Sequence, residues 1–150
     1  MNPLQQIIGL QLKIASYAGN TRTFIFSSAE PEWSLQVQCP WRIEHGGRIV
    51  TGSDDWWDPG APDSAMGGSL QQTRLREIFR DEDSSSAVLY NHTTELTVEH
   101  VQMGAAGDVE IGLSGGYRLR IFPAGSRGED RRLFRNADPG SRLVWPAEQA

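Results

Sequence analysis

The sequence is poor in lysine and cysteine, and it contains no long hydrophobic run. Lys13 is the only lysine among 14 basic residues, a bias that is typical of a GC-rich genome and predicts a bacterial source. Cys39 is the only cysteine, which excludes an internal disulfide and favours a cytoplasmic location. The first residues lack the basic end and apolar stretch of a signal peptide, so we expect neither secretion nor membrane insertion.

A basic surplus is also missing. The formal net charge is -5 and the sequence pI is about 5.1, which argues against nucleic acid as a partner. The length of 150 residues, of which 38% are hydrophobic, predicts one soluble domain over residues 1–150. The 16 glycines and 8 prolines predict a fold with many turns.

The clearest pattern present is the alternation of apolar and polar residues over residues 33–43, which predicts a strand with one buried face. Pro40 cannot donate a ladder hydrogen bond, so we expect an edge or a bulge there. A Gly-Gly reversal at Gly46 and Gly47 then predicts a hairpin. Similar patterns predict further strands at 8–14, 22–27, 94–103 (with a bulge near His100), 109–113 and 117–121, and short terminal strands at 132–134 and 143–145.

Only residues 70–80 have the spacing of a good helix, with Leu75, Ile78 and Phe79 as an apolar stripe and Ser69-x-x-Gln72 as a capping box. The predicted fold class is α+β, mainly antiparallel β: a curved β-meander sheet packed with one helix near residues 70–80. Two arrangements fit this pattern, namely two similar meander halves (8–41 and 95–121) or a small barrel. An unprotected sheet edge would also allow a homodimer.

The segments Gln38-Cys39-Pro40-Trp41-Arg42-Ile43 and Gly52-Ser53-Asp54-Asp55, with a late strand near Leu119-Arg120-Ile121-Phe122-Pro123, resemble a group of small uncharacterised bacterial proteins with a domain of unknown function. Some proteins of that kind look like immunity proteins or their neighbours in toxin systems. The resemblance implies a similar fold and, by analogy, a protein partner. It implies no catalytic residue.

Adjacent tryptophans beside carboxylates are typical of a protein-contact surface, because tryptophan is enriched at interface hot spots. We therefore predict a partner-binding surface in two acidic segments. The first segment comprises Asp54, Asp55, Trp56, Trp57 and Asp58, and the second comprises Asp81, Glu82 and Asp83. The alternative for the first segment is a loop that folds over the core and seals it with both rings.

Two further sites are predicted. A curved sheet against one helix leaves room for an apolar ligand pocket, which we expect to be lined by Trp33, Trp41 and Tyr117. Arg118 and Arg120 share the outward face of one strand, and with Arg131 and Arg132 they form a candidate surface for an anion or an acidic partner. Solvated strand faces are the plainer alternative for these arginines.

No catalytic, cofactor or metal motif is recognisable. Cys39 falls on the apolar face of its strand, so we expect it to be buried and inert, and the three histidines have no companion cysteine at ligand spacing. The leading hypothesis is a non-enzymatic protein-interaction module, of which an immunity-like protein is one form. The alternatives are a small-ligand-binding module and a small hydrolase that uses Glu44, Asp54 or Asp55 with His45.

Overall fold

The computed structural model describes residues 3–18, 21–28, 32–56, 70–82, 87–123, 131–135 and 138–145. Short 3-10 helices span Pro3–Ile7, Ser53–Trp56 and Ser114–Gly116. The helix α1 spans Leu70–Phe79, as its apolar spacing predicts. The strands are β1 (Gln11–Ala18), β2 (Thr21–Ser27), β3 (Trp33–Val37), β4 (Trp41–His45), β5 (Arg48–Gly52), β6 (Val88–Tyr90), β7 (Val98–Met103), β8 (Val109–Leu113), β9 (Tyr117–Ile121), β10 (Arg131–Arg135) and β11 (Asp138–Trp145).

The strands form two antiparallel sheets. The six-stranded sheet has the order β11-β10-β3-β2-β1-β6, and the five-stranded sheet has the order β5-β4-β9-β8-β7. The predicted class, mainly antiparallel β with one helix, is confirmed. Over the described residues both sheets are open, so the small barrel is wrong and the arrangement with two meanders is the observed one. No helix in the described part of the chain is long and apolar enough to cross a membrane.

The two meanders are related by an internal pseudo-two-fold symmetry. Strands β1-β2-β3 form a meander in one sheet and β7-β8-β9 form a meander in the other. Each meander is followed by a hairpin that crosses to the opposite sheet, so that β4 pairs with β9 and β10 pairs with β3. The registers correspond: Trp41 lies opposite Ile121, and Arg131 lies opposite Val37. In both cases the first residue of the crossing hairpin meets the last residue of the other meander.

The same irregularity appears in both halves. The register of β1 on β2 shifts between Leu12 and Ile14, and the register of β7 on β8 shifts between Val98 and His100. The bulge predicted near His100 is therefore confirmed. Its counterpart in β1 was not predicted, and it changes which residues face inward: Leu12 and Ala15 are fully buried, whereas Ile14 is only partly buried. The predicted strand 8–14 is also wrong at its start, because β1 begins at Gln11 and exposed Ile8 precedes it.

The symmetry axis passes through a short backbone pairing that joins the two sheets. The Leu12 amide donates to the Leu96 carbonyl at 2.8 Å, and the Val98 amide donates to the Leu10 carbonyl at 2.8 Å. Between these reciprocal bonds lies an isolated bridge from Gln11 to Thr97. Each of the two segments therefore pairs with its own structural equivalent.

One hydrophobic core lies between the sheets and beneath α1. Phe24 of β2 and Trp41 of β4 meet across it as an edge-to-face ring pair with centroids 5.2 Å apart. The helix adds Leu75 and Phe79, both fully buried, and packs against β5, β6 and the 3-10 helix at Ser53–Trp56. Burial of these large side chains is the main driving force for joining the two sheets.

The continuous strand predicted over residues 33–43 is divided in the structure. Strand β3 ends at Val37, and β4 begins at Trp41 in the other sheet. Pro40 lies in the crossing, where its carbonyl accepts from the Phe122 amide at 2.8 Å. Because proline has no N–H, a position between two ladders suits it. Alternation continues on both sides of the crossing, which is why the sequence pattern does not reveal the break.

Asn91 holds the segment after β6 against β1. It is 9% exposed, and its Nδ2 donates to the carbonyls of Leu12 at 2.9 Å and Glu95 at 3.2 Å. Its Oδ1 accepts from both the amide and the hydroxyl of Thr93 at 2.7 Å. This network leads into Leu96, which is buried at φ 72°, a backbone conformation that is uncommon for a bulky residue.

We expect Asn91→Ala to lower the free energy of unfolding by about 2 kcal/mol, because the truncation leaves several buried backbone groups without their acceptor or donor. Chemical denaturation monitored by tryptophan fluorescence measures this loss. Thr94→Ala, at an exposed neighbouring position, is the matched control and should change stability by less than about 0.5 kcal/mol. Equal stabilities of the two variants would contradict the role of this network.

Candidate functional site

A cavity of about 400 Å³ opens at one end of the structure, where the start of β2, the crossing from β3 to β4, the end of β5 and the start of α1 converge. We call it the Arg22 cavity. Its size lies in the range of known small-molecule sites. The described residues that line it are Tyr17, Thr21, Arg22, Val37, Gln38, Cys39, Pro40, Trp41, Ser53, Asp54 and Gln71.

Arg22 is buried in the wall of this cavity, with 3% of its surface exposed. Successive residues of β2 point to opposite faces of the sheet. The Arg22 side chain points inward, on the same face as Phe24 and Phe26. Its Nε donates to Gln71 Oε1 at 3.1 Å, and its Nη2 donates to the same oxygen. The guanidinium carbon lies 5.3 Å from the centroid of the Tyr17 ring. The position of the guanidinium is therefore fixed by a strand, a helix and an aromatic face.

Gln71 connects α1 to this wall. Its side chain is 3% exposed, and its Nε2 donates to the Gly52 carbonyl at 2.9 Å while its Oε1 accepts from Arg22. One buried amide thus links the first turn of α1 to both β2 and β5. The arrangement uses the donor and the acceptor of the glutamine together, as a buried amide requires.

The wall of the cavity carries a positive charge at neutral pH. Burial lowers the pKa of Arg22 to about 10, and the electrostatic effect of Tyr17 opposes this shift. Burial raises the pKa of Tyr17, while the charge of Arg22 acts in the opposite direction. Because the arginine pKa stays well above 7, the guanidinium keeps its proton at neutral pH. The raised pKa of Tyr17 keeps the tyrosine hydroxyl neutral.

The apolar side of the cavity includes Trp41, which is 4% exposed. Its ring is held edge-to-face against Phe24, and its backbone amide donates to Ser53 Oγ at 3.2 Å. Cys39 is 6% exposed and also lines the cavity, on the crossing between the sheets. Its burial was predicted, and its place at a cavity wall was not.

The pseudo-symmetry supplies an internal comparison for Arg22. Arg22 pairs with Val37 at the end of β3, and Val109 pairs with Ile121 at the end of β9. Val109 is therefore the structural equivalent of Arg22, and both are 3% exposed. Since a valine fills this position in one half, the strand arrangement does not itself require a charge there. The charge is a feature of the Arg22 cavity.

The predicted pocket residues are not brought together. Trp41 lines the Arg22 cavity, but Trp33 is buried at the other end of β3, opposite Phe26. Tyr117 packs on the His45 ring at an interplanar angle of 33°, with centroids 4.3 Å apart, and lines a separate groove beside α1. A pocket between sheet and helix does exist, but of the three predicted residues it includes only Trp41.

Of the first acidic segment, the structure places Asp54 at the rim of the Arg22 cavity. Asp54 is exposed and lines the cavity, whereas Asp55 is half-buried and accepts a hydrogen bond from Thr51 Oγ1 at 3.2 Å. Trp56 ends the 3-10 helix that carries both aspartates. Trp57 and Asp58 lie outside the described residues, as does Asp83 of the second segment.

Asp81 does not belong to an exposed acidic surface. It is 4% exposed and accepts from the Tyr90 amide at 2.9 Å, with His92 3.8 Å away. The carboxylate is thus used inside the protein to join the end of α1 to β6, and only Glu82 of this segment is exposed among the described residues. The prediction that Asp81 is exposed was based on its polarity alone and is wrong. The side chain faces inward because it accepts a hydrogen bond from the Tyr90 amide.

The four candidate arginines are divided between the two sheets. Arg118 and Arg120 lie on β9 and approach Glu110 at 3.6 and 3.7 Å, and Arg120 also approaches Glu44 at 3.5 Å. Arg131 and Arg132 lie on β10 in the six-stranded sheet. The charges on β9 are therefore partly neutralised by neighbouring strands, which weakens the case for an anion site on that face.

The catalytic alternative is not assembled by the fold. Glu44 and His45 are consecutive on β4, and His45 Nε2 lies 3.0 Å from the Gly115 carbonyl. Asp54 and Asp55 follow Gly52, which pairs with Arg42 near the opposite end of β4, about 10 Å from His45. Within the described ranges, no three histidine, cysteine or acidic side chains cluster as a metal site would require.

Sequence reasoning missed Arg22, Gln71 and Tyr17. One signal was present: Arg22 stands in the phase of Phe24 and Phe26, so an alternating strand directs a charged side chain toward the core. Gln71 carried no comparable signal, because its role depends on how α1 docks on β5.

The fold and the cavity together define a two-sheet antiparallel β protein with an internal repeat and an arginine at a buried cavity wall. No protein-family model matches the sequence, and no solved structure matches the chain. The resemblance to small uncharacterised bacterial proteins, some of them immunity-like, therefore stays a prediction.

We expect Gln71→Ala to lower the free energy of unfolding by about 2–3 kcal/mol, because it removes the acceptor of a charged donor and the donor to a buried carbonyl. Urea denaturation measures the loss, and amide hydrogen exchange over residues 70–79 should show that α1 opens more readily. Arg74→Ala, at an exposed position of the same helix, is the control. Unchanged exchange in α1 would show that Gln71 does not anchor the helix.

Proposed function

We propose that this protein binds a small molecule in the Arg22 cavity. The observation that carries the proposal is a buried arginine, 3% exposed, in the wall of a cavity of about 400 Å³. Small-molecule sites are concave and mostly apolar, with a few polar groups fixed in orientation. The proposal concerns binding and includes no reaction step.

Rigid positioning of the polar groups supports this function. Arg22, Gln71 and the Gly52 carbonyl form one hydrogen-bonded series that joins β2, α1 and β5. A ligand would thus meet groups that are already oriented, and little conformational entropy would be lost on binding. Trp41 and Val37 add apolar surface on the same wall, which favours a ligand with an apolar portion.

A protein-interaction module, including an immunity-like one, is the second candidate. Its supporting observation is that exposed Asp54 stands on a short 3-10 helix that packs against α1, so the carboxylate projects from a fixed base. The burial of Asp81 removes one member of the acidic surface that the sequence suggested. The ligand site has more fixed polar groups, and we therefore place it first.

A thermal-shift screen of small metabolites, grouped by charge and size, tests the proposal. A ligand that binds only the native state should raise the melting temperature, and the rise should continue to grow with the logarithm of ligand concentration above the dissociation constant. The same ligand should slow alkylation of Cys39, the only cysteine, because Cys39 lines the cavity. Alkylation followed by mass spectrometry thus reports occupancy of this cavity when it is read together with the substitutions below.

The control is a pair of tryptophan substitutions. Gln38→Trp places a large ring at an exposed lining position and should abolish both effects, whereas Gln36→Trp, on β3 outside the cavity, should leave them intact. The proposal fails when no compound in the screen raises the melting temperature, or when stabilising compounds act equally on Gln38→Trp.

A further inference from the structure

We infer that the ligand of the Arg22 cavity is an uncharged molecule, with an apolar portion packed beside Val37 and Trp41 and one polar group bound at the mouth by Thr21. This inference rests on the proposed function and assigns a chemical class to its ligand. All three residues line the cavity, but Val37 and Trp41 are 1% and 4% exposed, whereas Thr21 is half-buried. The described lining thus combines an apolar inner wall with a polar mouth.

Polar side chains of the inner wall are already bonded within the protein. The Nε and Nη2 edge of Arg22 donates to Gln71 Oε1, and Gln71 Nε2 donates to the Gly52 carbonyl. Arg22 also takes part in a further interaction within the protein. Ser53 Oγ accepts from the Trp41 amide at 3.2 Å and donates to the Trp41 carbonyl at 3.4 Å. A ligand that required these groups would compete with existing bonds, so they shape the wall and leave the binding to other contacts.

The charges of the described lining favour neither an anion nor a cation. Arg22 is buried in the wall and Asp54 is exposed at the mouth, and no other described lining residue is charged at neutral pH. An anion would pass Asp54 and then meet a guanidinium that is already engaged with Gln71. A cation would be repelled by Arg22. Either ion would also lose its hydration, which costs far more than removing a neutral group from water.

The apolar inner wall supplies the main contact surface. The Trp41 ring is held edge-to-face against Phe24 at a centroid distance of 5.2 Å, and Val37 ends β3 beside the crossing to β4. An aromatic or aliphatic group can therefore pack on this wall without rearrangement of the core. Its apolar surface leaves water on binding, which is the favourable term that such a ligand needs.

The Thr21 hydroxyl defines the second requirement on the ligand. Its Oγ1 accepts from Gln38 Nε2 at 2.8 Å, and both side chains line the cavity. Because the hydroxyl also carries a proton, it can donate one further bond, and no described residue accepts it. A ligand oxygen at the mouth can do so while the apolar portion lies deeper. One-ring alcohols and amides are the simplest molecules of this class.

The test of charge uses the full chain and probes that share one ring: benzyl alcohol, benzoate and benzylammonium, at constant ionic strength. Each dissociation constant is measured from the slowing of Cys39 alkylation, which should reach about tenfold at ten times the dissociation constant, because only the unoccupied fraction reacts. We expect benzyl alcohol to bind at least about tenfold more tightly than either ion, because the ions lose more hydration on entering the cavity.

The test of Thr21 adds ethylbenzene, which has the shape of benzyl alcohol without its hydroxyl. Thr21→Val keeps the side-chain shape and should weaken benzyl alcohol about three- to tenfold, the effect of one lost hydrogen bond, without weakening ethylbenzene. Thr21→Ser retains the hydroxyl and should retain the affinity for the alcohol. Thr23→Val, on β2 outside the described lining, is the control and should change neither probe. Circular dichroism checks the folding of each variant.

The possible failures are distinguishable. If benzoate or benzylammonium protects Cys39 at least as well as benzyl alcohol does, the assignment of an uncharged ligand is wrong while the cavity remains a ligand site. If Thr21→Val affects benzyl alcohol and ethylbenzene equally, the role of the Thr21 hydroxyl is wrong. If neither the four probes nor any screened metabolite protects Cys39, both this inference and the proposed function are wrong.

Discussion

The structure depends on the reciprocal backbone pairing at the pseudo-two-fold axis and on the two hairpins that cross between sheets. Bonds of 2.8 Å from Leu12 to Leu96 and from Val98 to Leu10 join equivalent segments of the two halves. The crossings pair β4 with β9 and β10 with β3, so each sheet contains strands from both halves. These pairings set the sheets over one another, and burial of Phe24, Trp41 and their neighbours between them then stabilises the arrangement.

The Arg22 cavity follows from the way in which this symmetry is broken. The two halves share strand order, register and bulges, but α1 and the 3-10 helix before it follow only the first crossing hairpin and pack at that end. The helix brings Gln71 to the inward-facing arginine of β2, where the other half has Val109. One end of a repeated scaffold thereby acquires polar groups in fixed positions, and the functional proposals rest on that difference.

Local alternation was enough to predict most strands, the hairpin at Gly46 and the bulge near His100, because these depend on side-chain phase and turn residues. It did not reveal that residues 33–43 change sheets at Pro40, since the phase is preserved through the crossing. Nor did it reveal the inward turn of Asp81, which depends on its bond to Tyr90. The Arg22 cavity depends on how α1 docks on the sheets. The sequence therefore indicated only that the Arg22 side chain faces inward.

The exchanged hairpins give each half of the chain a share in both sheets. Separating the halves would require rupture of two complete strand ladders, β4 on β9 and β10 on β3, as well as the bonds at the axis. After such a split, each half would expose an unpaired strand edge and an uncovered apolar face. The interlocked connectivity thus makes each half depend on the other for the pairing of its hairpin, so the two halves are expected to unfold together.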